Sequence, residues 1–380
     1  MSDDVTRLTD DDDLVRLVDH EGERTTDARW DAYRARAAHL SLSDVRDMFR
    51  DMTLVRAFDN EATSLQRQGE LGLWAQSLGQ EAAQIGSGRA LAPQDYVFPS
   101  YREHGVAHTR GVDLAQILHL FRGIDHGGWD AQAHSFQNYT LVIGAHTLHA
   151  TGYAMGVQRD GLVGTGDPTR DMAVVTYFGD GATSQGDVNE SLVFASVNQA
   201  PLVMFCQNNQ WAISEPNARQ FRVPVGRRGE GFGVPGVRVD GNDVLACYAV
   251  MQEALERARS GGGPTLVEAF TYRMGAHTTS DDPTRYRTRE EEQFWRDRDP
   301  IDRVERLLRR EGAWDDAWAE QVAAEAAELG ARVREHVRAL GRPVSSSMFD
   351  DVYATEHAQV THERQLFETY EAGFADGGAR

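Results

Sequence analysis

The residues of this sequence best placed to do chemistry lie in one stretch, Gly179-Asp180-Gly181-Ala182 followed by Asn208-Asn209, with 26 residues from Ala182 to Gln207 filling the interval. A short apolar run, Met172 to Phe178, precedes the glycines and reads as a buried strand. Glycine there lets backbone come close to a ligand at the strand's carboxyl end. Backbone N–H groups at the start of the next helix favour an anion. A second run, Pro201 to Cys206, reads as the next strand and leads into the paired asparagines. Asp180 and Asn209 would then put two hard oxygen donors at neighbouring strand ends. Mg²⁺ takes such donors, with phosphate and water completing its shell. The chemistry indicated is a phosphate-bearing ligand held through a divalent cation.

Two other phosphate motifs fit poorly. A dinucleotide fingerprint needs G-x-G-x-x-G, whereas the glycines here fall at 179, 181 and 186. A Walker A loop needs a lysine, and the chain has none. An isolated Gly-Asp-Gly is commonly a plain strand–turn–helix with an aspartate cap, and Gly166-Asp167 reads that way. The asparagine pair after the following strand sets 179–209 apart.

The elements that must position these residues alternate. Val45, Met48, Phe49, Met52, Val55, Phe58, Ala62 and Leu65 recur at helical spacing from Asp44, with a Ser41/Asp44 capping box before them and Gly69 after. Beyond Gly181 the pattern predicts a helix at 187–198 and a strand at 237–239. A helix at 244–259 and a strand at 265–270 follow. Strands separated by helices argue for an α/β fold, a parallel sheet flanked by helices on both faces. After Asp299 the sequence turns charged and helical to about Glu335. The aromatics Phe349, Tyr353, Phe367, Tyr370 and Phe374 mark a terminal helix, docked on a partner or on its own domain. The domain reading is an acidic N-terminal arm over 1–40, with residues 1–27 as a flexible tail or surface arm, a main domain over 41–345 and a helical extension over 346–380.

Composition narrows the class. A net charge of −20 argues against a nucleic-acid-binding surface. All 39 positive charges are arginine, which fits an acidic surface screened by a high-salt cytoplasm, where the Debye length falls to about 3 Å at 1 M. Drift in a GC-rich genome gives the same arginine bias. Two cysteines, Cys206 and Cys247, are too few for a disulfide framework. No apolar run of membrane-spanning length and no secretory leader are read from the sequence, so a cytoplasmic, membrane-free enzyme is expected.

The stretch GDGATSQGDVNESLVFASVNQAPLVMFCQNNQWAIS (179–214) resembles the thiamine diphosphate motif of the α subunits of pyruvate and branched-chain 2-oxo acid dehydrogenases, the E1 components of those complexes. The resemblance runs from about Arg56 to Arg287, with a weaker tail to Tyr353. It takes in RQGELG (67–72), GQEAAQIGSG (79–88), PSYREHG (99–105), RVDGNDV (238–244) and YRMGAHTTSDDPTRYR (272–287). It implies the thiamine diphosphate-binding fold, with Mg²⁺ held by Asp180, Asn209 and the backbone carbonyl of Trp211. It implies further that Gly181 and Ala182 offer backbone amides to the diphosphate. Tyr101 and Arg102 would reach the phosphates, Gly144 would border the cofactor, and Ile143 would prop it between its two rings. His277 matches a histidine on a loop that orders with cofactor, serving both binding and catalysis. His126 stands at the place of a second catalytic histidine, with His134 as its rival.

The implied reaction is oxidative decarboxylation of a 2-oxo acid, with acyl transfer to a lipoyl group. Imidazoles at 126 and 277 would move protons, an unperturbed histidine titrating near about 6.5. The implied partners are an E1 β subunit, in an α2β2 heterotetramer whose β chain supplies the glutamate for the aminopyrimidine, and a lipoyl-bearing E2 component. Gln207 is pyruvate-like where branched-chain relatives carry arginine; RQGELG leans the same way, whereas RVDGNDV and TTSDD lean branched-chain. An acetoin dehydrogenase α subunit and a catalytically silent partner-binding subunit are the rival readings. An NAD-dependent oxidoreductase is disfavoured by the glycine spacing.

Overall fold

The computed structural model describes residues 13–341 and 344–374. Five strands make one wholly parallel sheet: β1 (Tyr96–Phe98), β2 (Val174–Gly179), β3 (Leu202–Asn208), β4 (Gly236–Asp240) and β5 (Thr265–Phe270). Their order across the sheet is β1-β2-β3-β5-β4. Alternation of side chains sends successive residues to opposite faces. Val175, Tyr177, Val203 and Phe205 enter one core, while Val174, Phe178, Leu202, Met204 and Cys206 enter the other. Helices cover both. The first face carries α1 (Leu42–Arg67), α2 (Glu81–Arg89) and, later in the chain, Val244–Arg259. The second carries α3 (Ala145–Arg159) and α4 (Gly186–Asn198). Both faces being apolar explains why the strands read as continuous hydrophobic runs.

The capping box at α1 is formed as expected. Ser41 Oγ accepts from Asp44 N–H at 3.2 Å, and the Asp44 carboxylate accepts from Ser41 N–H at 2.7 Å. The stripe Val45, Met48, Met52, Val55 and Phe58 is buried behind it. The short strand β1 went unread, because three residues give too little alternation to recognise.

Of the two readings of the N-terminal stretch, residues 13–27 fit the arm and not the flexible tail. Leu14, Val15, Leu17 and Val18 are buried, and Val15 bridges Val239 in parallel. Val15 N–H donates to Arg238 O at 2.9 Å, and Asp240 N–H to Val15 O at 3.0 Å. The Asp243 carboxylate accepts the Leu17 and Val18 amides at 2.7 Å each. Four aliphatic residues set among charges therefore cover the exposed edge of β4, which would otherwise present unpaired backbone groups. Residues 1–12 lie outside the described residues.

The chain separates into a large unit reaching Val337 and a small one from Arg338. The small unit holds a helix, Ala358–Ala372, none of whose residues is buried. Within it, Phe349 and Phe367 meet at 5.7 Å between ring centroids, and Arg364 pairs with Asp350. Among the described residues no helix is long and apolar enough to cross a membrane.

Candidate active site

The carboxyl ends of β1, β2 and β3, together with the loop after β5, surround a cavity of about 230 Å³. Tyr101, Arg102, Ile143, Gly144, Asp180, Gly181, Ala182, Asn209, Trp211 and His277 all line it. Ten positions read from sequence, spread over 177 residues of chain from 101 to 277, are thus brought to one place. Parallel α/β sheets bind ligands at this end.

Local structure explains each placement. β2 stops at Gly179, and Asp180–Ser184 form a single 3₁₀ turn before α4. A Cβ on Gly181 would stand 2.8 Å from Ala212 Cβ, so glycine lets the hairpin Trp211–Ala212/Glu215–Pro216 close over this turn. The two asparagines divide their work. Asn208 is structural: its amide donates to Glu268 at 2.6 Å, and its Oδ1 accepts from Gln210 N–H and from Asn217. Asn209 faces the cavity. Gly144 adopts φ +85°, open to glycine at little cost, and caps α3.

Asp180 is buried and accepts from Gln220 Nε2 at 2.8 Å. Burial pushes its carboxyl up to about 6. Arg102 reaches across from β1's end, its guanidinium donating to Gln76 O and, at 2.8 Å, to His277 O. His277 Nδ1 lies 3.4 Å from Arg102 and 3.3 Å from Arg273. Burial, and then repulsion from those two guanidiniums, holds the imidazole down at about 3. His277 is therefore neutral at physiological pH, which corrects the expectation that it titrates near 6.5. An anion entering the cavity would relieve this positive field.

His126 is not brought to the cavity. It is exposed on the 123–130 loop, and among the described residues it does not line the site. His134 is also elsewhere, its ring bonded to Arg110 O at 3.1 Å. The second histidine that lines the cavity is His146, buried on the first turn of α3. Its Nε2 lies 2.7 Å from Tyr177 O, while Nδ1 has no partner. Burial lowers it to about 4, so it too is neutral. The signal was available in the sequence, three residues after Ile143.

Among the lining residues not foreseen are Gln80 and Glu103, and Gln207, read from sequence only for substrate preference, joins them. Gln80 is buried with an unpartnered Nε2. Glu103 accepts from Ser100 Oγ at 2.9 Å and from Gln207 Nε2 at 2.7 Å, and burial raises its carboxyl to about 7. Gln207 in turn accepts from Gln84 at 3.0 Å. Behind the wall, Arg273 holds the hairpin through Trp211 O at 2.9 Å and Ile213 O at 2.8 Å. A cation on the Trp211 carbonyl would therefore sit beside a guanidinium.

The residues present suit a phosphorylated ligand and a hard cation. Arg102 and the unpartnered Gln80 amide supply donors, while Asp180 and Asn209 supply oxygens in the same cavity. Among the described residues no cluster of three or more His, Cys, Asp or Glu side chains could hold a metal by itself. A cation here would depend on amide and ligand oxygens beside the one carboxylate.

Fold and site together define an α/β protein with a polar ligand cavity at the carboxyl ends of a parallel sheet. The model of the dehydrogenase E1 component family matches residues 49–340, and the chain belongs to that family. It is an E1 α-type subunit of the 2-oxo acid dehydrogenases, and the family implies thiamine diphosphate, a β subunit and an E2 component. The chain is 43% identical over 350 residues to the 3-methyl-2-oxobutanoate dehydrogenase subunit alpha of Mycobacterium tuberculosis, covering 91% of this chain and 90% of that one. It is 38% identical over 335 residues to the pyruvate dehydrogenase E1 component subunit alpha of Acholeplasma laidlawii, covering 86% and 93%. The corresponding Staphylococcus aureus subunit is 35% identical over 305 residues, with 80% of each covered.

Proposed function

We propose that this chain binds thiamine diphosphate through Mg²⁺ and, with an E1 β chain, decarboxylates a branched short-chain 2-oxo acid of the 3-methyl-2-oxobutanoate kind. The observation that carries the reading is the convergence of Asp180, Asn209, Gly181, Ala182, Tyr101, Arg102 and His277 on one cavity. The branched substrate follows the higher identity to the 3-methyl-2-oxobutanoate enzyme. Pyruvate is the second reading, favoured by Gln207, an uncharged residue bonded to Glu103 at the cavity wall.

When bound, thiamine diphosphate supplies the electron sink for loss of CO₂. The protein's part is to bind and orient. Asp180 and Asn209 would hold Mg²⁺, with the Trp211 carbonyl, which also accepts from Arg273, as a third ligand. The planar fork of Arg102 suits diphosphate oxygens, and Tyr101 and the 181–182 amides add donors. Ile143 supports the cofactor from the apolar side. His277, neutral at rest, gains basicity when the anion offsets Arg102 and Arg273, and can then exchange a proton with the reacting group. His126 enters this scheme only if its loop moves to the cavity on assembly. The β chain completes the site in an α2β2 heterotetramer, and the acyl group leaves on the lipoyl arm of an E2 partner. The setting is a saline cytoplasm, on which the lysine-free, acidic composition bears.

Calorimetric titration of thiamine diphosphate with Mg²⁺ into the α–β mixture tests the reading. Saturable binding that Asp180→Ala abolishes is the expected result; no binding to an intact heterotetramer refutes it. Turnover of 3-methyl-2-oxobutanoate against pyruvate then decides the substrate.

A further inference from the structure

A second cavity lies where the N-terminal segment crosses the carboxyl ends of β4 and β5. It measures about 150 Å³. Arg16, His20, Arg298 and Arg303 line it against a single carboxylate, Asp240. That carboxylate is shared: Arg16 Nε meets it at 2.8 Å and Arg303 at 2.9 Å. Arg298 forms no ion pair among the described residues. It donates to Phe294 O at 3.1 Å and lies 3.6 Å over the Phe294 ring. Arg303 is only 3% exposed, yet its Nε has no partner. A buried, unpaired guanidinium N–H is costly and leaves a donor open to an acceptor, as do the Nε atoms of Arg46, Arg273 and Arg287 elsewhere in the chain. Leu14, Phe270 and Trp295 form apolar walls that lower the local dielectric.

From this arrangement we propose that the cavity is a binding site for a small oxyanion, a phosphate or a carboxylate, distinct from the cofactor cavity. The lining itself carries three guanidiniums to one carboxylate, so donors outnumber acceptors at the wall and a small oxyanion would supply the missing acceptor oxygens. Their planar forks match its oxygens. The field is felt by its neighbours: burial, then Arg298 and Arg303, lower His20, while burial and then Arg303 lower Arg298. Other carboxylates nearby do not line the cavity, although Asp243 and Asp19 act on Arg16, and Asp297 on Arg298, through space. Asp243 takes the Leu17 and Val18 amides and caps the helix that follows it. Asp19 takes the Glu21 and Glu23 amides. Asp297 accepts from Gln293. Glu21, exposed, lies 3.5 Å from His20 and does not line the cavity. A parallel sheet offers this end of its strands to ligands, and here the outer pair β4–β5 does so away from β1–β3. A bound anion joins Arg16 and His20 of the N-terminal segment to Arg298 and Arg303, so occupancy fastens that segment to the sheet. The proposal is independent of the cofactor reading.

The test titrates inorganic phosphate into the assembled α–β protein, saturated with thiamine diphosphate and Mg²⁺, by calorimetry at constant ionic strength. Native protein, Arg298→Met and Arg16→Met are compared, each checked for native circular dichroism. Saturable binding is expected, with a higher melting temperature. Either arginine substitution should weaken it by about tenfold or more, the usual loss of a charge-assisted hydrogen bond. Arg16→Met, on the N-terminal segment, keeps the test open should Arg298→Met fail to fold. Acetate in place of phosphate separates the two sources: the tighter of the two names the ligand class, and either upholds the site. Absence of saturable binding, or an affinity unchanged from native in both arginine variants, overturns the proposal.

Discussion

Glu103→Gln should flatten the pH dependence of stability over a defined window. Glu103 is fully buried at the cavity wall, held by Ser100 Oγ, the Arg102 amide and Gln207 Nε2. Burial raises its carboxyl from the ordinary 4.5 to about 7. A raised carboxyl binds its proton more tightly in the folded chain. Its contribution to stability is then complete below pH 4.5 and is lost as pH rises through 7. At about 1.4 kcal/mol per pH unit, that interval corresponds to about 3 kcal/mol. For 380 residues, an unfolding entropy of about 2.1 cal/mol/K per residue gives about 0.8 kcal/mol/K, so the loss amounts to about 4 °C in melting temperature. Glutamine keeps an acceptor toward Gln207 and cannot ionise. Asp59, buried and raised to about 7, and Asp180 titrate in the same range but alike in both proteins, so they cancel in the difference. The assay is thermal denaturation of native and substituted protein, without cofactor, from pH 4.5 to 8. The native melting temperature should fall relative to Glu103→Gln by about 4 °C across the window. Parallel curves would show that Glu103 does not ionise there and refute the reasoning.

Three further outcomes follow from the packing. Deleting residues 1–27 removes Leu14, Val15, Leu17 and Val18 from the edge of β4 and should cost at least about 4 kcal/mol in urea denaturation; an unchanged midpoint would restore the free-tail reading. Gly144→Ala forces φ +85° on a residue with a Cβ, placed 3.1 Å from Gln185 Cβ, and should cost about 1–2 kcal/mol and weaken cofactor binding by titration. Arg273→Met leaves the Trp211 and Ile213 carbonyls without their donor, at about 2–4 kcal/mol, and should raise the His277 titration seen by NMR, since one repelling guanidinium is gone.

What the sequence revealed depended on the range of the interaction. The helix at 244–259 and the strand at 265–270 were legible to the residue, because periodicity and apolar runs are local. The Asp180/Asn209 pairing was legible because parallel neighbours place their carboxyl ends together. Strand β1 was too short for any pattern, although the Tyr101-Arg102 pair beyond it was found by resemblance. Arg273 was not foreseeable: its partners are carbonyls 60 and 62 residues away, on a hairpin two residues wide. Residues 13–27 misled because charge dominates their composition, while four aliphatics suffice to cover a strand edge. His126 was placed by alignment through a loop that departs from the family pattern, and the fold leaves that loop at the surface.

The strand-like contact of Val15 with Val239 joins positions separated by 224 residues. A ribosome therefore releases the segment that completes the sheet's edge long before the edge exists. Closing so long a loop is entropically slow, and until Val239 has emerged the aliphatics at 14–18 have no surface to cover. In time, a segment made well before its partner strand is among the last to be seated. Through that interval, the acidic residues around those aliphatics are what separate one nascent chain from another.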